Sequence, residues 1–147
     1  MTGEVKPGHY FEDLSVGMEA SLAQMVEGDD LQAFARLTGD ANPIHLDDKY
    51  AAITPFKRRI AHGMLSASYI SAVFGTKLPG PGCIYISQTL NFRAPVHIGD
   101  EVIATVRVSD LIEQRKRAIF TCACMVGEKV VVEGEAVIMI PSRPPDG

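Results

Sequence analysis

The segment Thr38-Gly39-Asp40-Ala41-Asn42-Pro43-Ile44-His45 sets a carboxylate and an imidazole five residues apart, in a stretch that also holds a glycine and a proline. On a continuous helix that separation would turn the two side chains roughly 140° apart around the axis. Gly39 and Pro43 argue against a helix, so a loop must bring Asp40 and His45 together. A carboxylate and an imidazole held side by side is what general acid–base chemistry on one small polar atom, such as a water oxygen, requires. Asp40 also follows the end of a helical pattern, where the macrodipole disfavours negative charge. The alternative is turn chemistry alone, with Asp40 and Asn42 forming the loop and His45 packed at a helix start.

A second segment, Ala61-His62-Gly63-Met64, opens an apolar run. A glycine at a helix N-terminus lets a ligand approach the free backbone N–H groups there. Toward a carbonyl gaining negative charge, the Gly63 N–H would be an oxyanion donor. The competing reading is steric, with Gly63 allowing close packing and His62 serving as a cap or a packed ring. Ser71, eight residues after Gly63, falls on roughly the same helix side and either faces a site or bonds its own helix. Other chemistries find little support. Ser66, Ser68 and Ser71 lack a nucleophile elbow, and no phosphate-binding glycine loop occurs. The histidines at 9, 45, 62 and 97 have no metal-ligand spacing, so no metal site is expected. Lys57-Arg58-Arg59 reads as a solvated loop rather than a phosphate clamp.

The elements that must position these residues follow from periodicity. Gly17–Val26 reads as a strand; Asp29 reads as the cap of a helix whose Leu31, Phe34, Ala35 and Leu37 share a face and which Gly39 ends. Residues 39–46 read as a loop, and Asp47–Ile53 as a short helix. From His62 to Gly75 the residues Met64, Leu65, Ala67, Ile70, Ala72, Val73 and Phe74 cover most of a helix circumference, so that helix must be wrapped on most sides. Cys83–Phe92, Asp100–Ile112, Lys116–Val126 and Lys129–Ile140 read as strands, with a tight turn at Val126-Gly127-Glu128-Lys129. The order predicts an α+β fold in which an antiparallel sheet curls around one apolar helix.

The chain has 147 residues, 46% of them apolar and 22% charged, with a net charge of −4. That is one domain able to bury its own core. The acidic balance argues against nucleic-acid and anionic-membrane partners. Met1–Tyr10 has no apolar run of a secretory signal, and Ile60–Leu78 carries His62, three serines and Lys77, too polar for a lipid-facing span. Cys83, Cys122 and Cys124 are expected reduced, in a cytoplasmic protein.

Together, Asp40-Ala41-Asn42-Pro43-Ile44-His45 and Arg59-Ile60-Ala61-His62-Gly63-Met64-Leu65 resemble the MaoC-like, (R)-specific enoyl-CoA hydratases. The likeness continues through Tyr10–Leu14, Leu78-Pro79-Gly80, Tyr85–Phe92, Pro95-Val96, Gly99–Val102 and Gly134–Ala136, nearly the whole chain. It implies a hot-dog fold, placed at residues 11–140, working as a homodimer or higher homo-oligomer; the polar residues 1–10 and the proline-rich residues 141–147 read as flexible ends. It implies reversible hydration of trans-2-enoyl-CoA, with Asp40 and His45 as the catalytic dyad and the Gly63 N–H on the thioester oxygen. Ser71 would line the site near Asp40, with Asn42 and His62 in the substrate-binding set. No metal or other cofactor is implied, because coenzyme A belongs to the substrate. The same residues would serve a 3-hydroxyacyl-[acyl-carrier-protein] dehydratase, less readily a thioesterase. From another class, a noncatalytic acyl-thioester-binding subunit would not need both Asp40 and His45.

Overall fold

Side-chain alternation builds the sheet. In the computed structural model, which describes residues 7–145, strand β4 (Glu101–Ile112) buries Val102, Ala104, Val106 and Val108. The residues between them are exposed or half-buried, the pattern of a sheet with one face on a core. Strand β5 (Arg117–Val126) does the same with Ala118, Phe120, Cys122 and Cys124. Strand β6 (Lys129–Met139) adds Val131, Val132, Ala136 and Ile138. With β1 (Glu19–Met25), β2 (Ile84–Gln88) and β3 (Asn91–Phe92) they form one antiparallel sheet in the order β1-β4-β5-β6-β2, with β3 also on β6. The hairpin between β5 and β6 turns at Gly127, at φ 59°.

Among the described residues four α-helices accompany the sheet: α1 (Gly28–Thr38), α2 (Pro43–Leu46), α3 (Asp48–Ala52) and α4 (Gly63–Thr76). The sheet's apolar face packs on α4, whose Leu65, Ile70, Val73 and Phe74 join the core. Phe74 meets Phe120 edge-to-face at 4.9 Å between ring centroids, a pairing that adds about 1 kcal/mol beyond the buried area. The α+β arrangement of a sheet around an apolar helix is as expected. The helix is not fully wrapped, however. Met64, Ser68, Ser71 and Gly75, at spacings of four, three and four, form an exposed stripe along it.

Other local expectations shift by a few residues, each for a physical reason. Helix α1 is capped by Glu27 rather than Asp29, and the Asp30 carboxylate accepts the Glu27 N–H at 2.8 Å. Residues 43–46, expected as loop, form the single turn α2, because Pro43 occupies its first position with Asn42 as cap. The expected strand 83–92 is two strands. The break falls at Thr89, whose carbonyl crosses Gly134 of β6 so closely that a Cβ there would stand 1.8 Å from it. Among the ends expected to fray, the Gly8 and His9 N–H groups bond Pro81 and Pro79, and Phe11 bonds Pro141. Residues 1–6 and 146–147 lie outside the described residues. All three cysteines are free, and among the described residues no helix is long and apolar enough to cross a membrane.

Candidate active site

Helix α1 ends where Gly39 adopts a left-handed conformation, φ 84°, with its N–H on the Ala35 carbonyl at 2.8 Å. The chain then folds on its own side chains. Thr38 Oγ1 accepts the Asp40 N–H at 3.1 Å, and Asp40 Oδ1 accepts the Asn42 N–H at 3.3 Å. Asn42 Oδ1 accepts the Ile44 N–H at 3.1 Å and starts α2, which carries His45. These short side-chain-to-backbone bonds are why Asp, Asn and Thr occupy the loop. The turn-forming reading and the acid–base reading are therefore compatible at Asp40, whose second oxygen takes no part in the loop.

His45 is almost buried, and its Nδ1 lies 2.7 Å from the Ile60 carbonyl oxygen. A carbonyl only accepts, so Nδ1 carries the hydrogen and Nε2 keeps a lone pair while the ring is neutral. Burial holds His45 below the ordinary imidazole value of 6.5, with a smaller push from His62, against the pull of the Ile60 carbonyl and Asp40. Neutral His45 is the form that can take a proton. A carboxylate oxygen of Asp40 and one ring nitrogen each of His45 and His62 lie within 4.8 Å of one another. Two groups each about 2.8 Å from one water, at a tetrahedral angle, stand about 4.6 Å apart. The spacing therefore suits one shared water. The three side chains are also donor types a divalent cation accepts. Linear spacing gave no sign of this, because they come from three separate elements.

His62 caps α4, and Gly63 is its first residue, with an N–H that has no partner inside the helix. Phe92 of β3 lies against Gly63, since a Cβ built there would stand 2.7 Å from two ring carbons. Asp40, His45, His62 and Gly63 line one cleft of 540 Å³, walled by Phe56, Met64 and Phe92 among others. Of the expected site residues, two stand apart from this cleft. Asn42 is engaged as the α2 cap, and Ser71 lies on the exposed stripe of α4. In the basic cluster Lys57 and Arg58 are exposed, as a solvated loop would have them, and only Arg59 is engaged. Arg59 ion-pairs with Asp48 at 3.0 Å and reaches the His45 carbonyl at 3.5 Å, so it braces α2 and α3. Residue types and spacing do not announce Phe92 or the Ile60 carbonyl as parts of the site. The first comes from a strand distant in sequence, and the second is a backbone atom that no residue type announces.

The model of the MaoC-like domain matches residues 14–133 of this chain. A 3-hydroxybutyryl-CoA dehydratase of Methylorubrum extorquens is 55% identical over 91% of this chain and 85% of its own length. An (R)-specific enoyl-CoA hydratase of Rhodospirillum rubrum is likewise 55% identical, over 92% of this chain and 94% of its own. Among solved structures, the R-hydratase PhaJ1 of Pseudomonas aeruginosa superposes with a TM-score of 0.88 at 44% identity, covering 92% of this chain and 88% of that one. The sheet wrapped around α4 is thus the hot-dog fold of the R-hydratases. On sequence and fold alike, the chain belongs to the MaoC-like domain family.

Proposed function

We propose that the protein is an (R)-specific enoyl-CoA hydratase, adding water reversibly to a trans-2-enoyl-CoA to give the (R)-3-hydroxyacyl-CoA. The observation that carries this reading is the convergence of Asp40 and His45 on a water-sized gap in the cleft that Gly63 also lines. Relatives named for CoA thioesters favour coenzyme A as the carrier over a carrier protein.

The steps follow from the atoms present. His45 Nε2, bare because Nδ1–H is committed to Ile60, takes a proton from water as the water oxygen bonds to C3. The π electrons move through C2 onto the thioester oxygen, where the Gly63 N–H at the helix N-terminus meets the developing charge. Asp40 holds the same water by its other hydrogen. The dyad returns one proton to C2, so that the elements of one water are added and both side chains are regenerated. The thioester itself acidifies C2, and the scheme calls for no metal or redox group.

The reading includes a homodimer. Strand β2 is a sheet edge with Ile84, Tyr85 and Ile86 exposed, and Tyr85 meets Phe74 of α4 edge-to-face at 5.4 Å between centroids. Unpaired edge strands with apolar side chains invite pairing. Ser71 lies outside its own chain's cleft, so the site role the resemblance implies for it requires a second copy whose cleft it completes. Three free cysteines suit the cytoplasm. The test is loss of enoyl absorbance on adding the protein to crotonyl-CoA, with chiral analysis of the product. Accumulation of (R)-3-hydroxybutyryl-CoA is expected. Release of free thiol without hydration, or the (S) product, would refute the proposal.

A further inference from the structure

His62 is among the most buried side chains of the protein, at 2% exposure, yet it is polar and sits behind the dyad. Its Nε2 lies 3.0 Å from the backbone carbonyl of Asp40, so Nε2 carries the ring hydrogen and donates it there. Among the described residues this is the one hydrogen bond that ties Asp40 to a distant element; its other two partners, Thr38 and Asn42, are in its own loop. One face of the ring stacks on His45, centroid to centroid 3.8 Å at 27°. Phe34 of α1 lies against it as well, at 4.8 Å. His62 therefore touches both dyad members, Asp40 through the main chain and His45 through the ring face.

Two further points separate this ring from ordinary core packing. The neutral His62 ring has one N–H, engaged at Asp40, and so no hydrogen to offer a substrate oxygen. Its Nδ1 is a buried acceptor without a partner. Such an orphan is destabilising, and a phenyl ring would fill similar space without it. What the imidazole has that a phenyl lacks is the Nε2–H on Asp40.

We propose that His62 is a positioning residue for the dyad: its Nε2–H anchors the Asp40 peptide while its ring face sets the plane of His45. As a statement about catalysis this rests on the hydratase reading above; as a statement about geometry it does not. Misplacement of a reacting group by about 1 Å costs about a hundredfold in rate, so losing the anchor should lower kcat while substrate binding persists.

The test compares His62→Gln with His62→Met, matched in length and differing in the amide donor. Crotonyl-CoA hydration, thermal unfolding and imidazole 1H–15N spectra are measured on both and on the unmodified protein. The expected results are a kcat for H62M lower by about tenfold or more with KM within about twofold, and recovery of at least about threefold in kcat for H62Q. Spectra of the unmodified protein should show His62 protonated at Nε2 and His45 at Nδ1. Equal kcat in H62Q and H62M, both folded, would overturn the proposal, as would a loss confined to KM. If neither variant folds, the spectra decide, because a hydrogen on His62 Nδ1 instead of Nε2 would remove the anchor. An unmodified protein without hydration activity would sink the hydratase reading and leave the spectral arm intact.

Discussion

Gly63→Ala should separate catalysis from stability. The new methyl would stand 2.7 Å from Cδ1 and Cε1 of Phe92, where carbon atoms ordinarily approach to about 3.5–4.0 Å. About 1 Å must therefore be found, either by the start of α4 or by the ring. Phe92 is 54% exposed and can turn partly aside, but its backbone is fixed by pairing with Val132 of β6. If the helix start gives way by even half of this, an N–H···O bond of about 2.9 Å approaches the limit of useful length. Losing one oxyanion donor outright costs about 10²–10³ in kcat. With the strain shared between ring and helix, a fall of about 10- to 100-fold is expected. Stability should change little, about 1 kcal/mol or a Tm lower by about 3 °C, because the clash is at a half-exposed ring. The assay is crotonyl-CoA hydration with kcat and KM resolved, beside thermal unfolding. Repeating the substitution in a Phe92→Ala background removes the opposing ring, and there Gly63→Ala should cost less than about threefold. Wild-type kcat in G63A, or an equal loss with and without the Phe92 ring, would refute the reasoning.

Burial depresses His45 below 6.5, and in the proposed mechanism neutral His45 is the working base, so the acidic limb of kcat/KM should fall below pH 6.5; a limb at or above 6.5 would contradict this. The same shift enters stability with a definite sign. The unfolded chain takes up this proton first as pH falls, so the contribution of His45 is complete above 6.5 and is lost between 6.5 and its lower folded value, a decline that His45→Gln should lack in pH-dependent unfolding. Gly134→Ala drives a Cβ to 1.8 Å from the Thr89 carbonyl and breaks the Thr89–Glu135 bonds of 2.8 and 3.0 Å. At about 1 kcal/mol each, plus strain, the Tm should fall by about 5–10 °C, and a change under about 2 °C would count against it. Ile86→Asp on the edge strand β2 should convert a particle of twice 15.9 kDa into a single chain by sedimentation, and a wild-type protein already of single-chain mass contradicts the dimer.

Much of the fold was legible because its determinants are local. The αL stop at Gly39, the alternation in β4 to β6 and the apolar run of α4 are each written in neighbouring residues. What eluded linear reading depends on contacts made across the fold. The strand break at Thr89 follows from Gly134 on another strand. The α2 turn differs in kind, since Asn42 capping it with Pro43 at its first position is a local signal that also suits a loop. At the site, the types and spacing of Asp40 and His45 pointed to acid–base chemistry. The tautomer that frees His45 Nε2 was not legible, because it is set by the Ile60 carbonyl, and neither was the Phe92 ring over Gly63. Helical phase puts Ser71 near the side of Gly63; it lies on the exposed stripe that begins at Met64, a wall of the cleft, but outside the cleft itself.

The central claim is that Asp40 and His45 together activate the water that adds to C3. Its most direct test is crotonyl-CoA hydration by Asp40→Asn and His45→Gln, each first checked for a wild-type unfolding transition. Both side chains act in one proton-transfer unit, so either variant should lose about two or more orders of magnitude in kcat, and the double variant little more than the worse single one. Hydration near the wild-type rate by both folded variants would contradict the account.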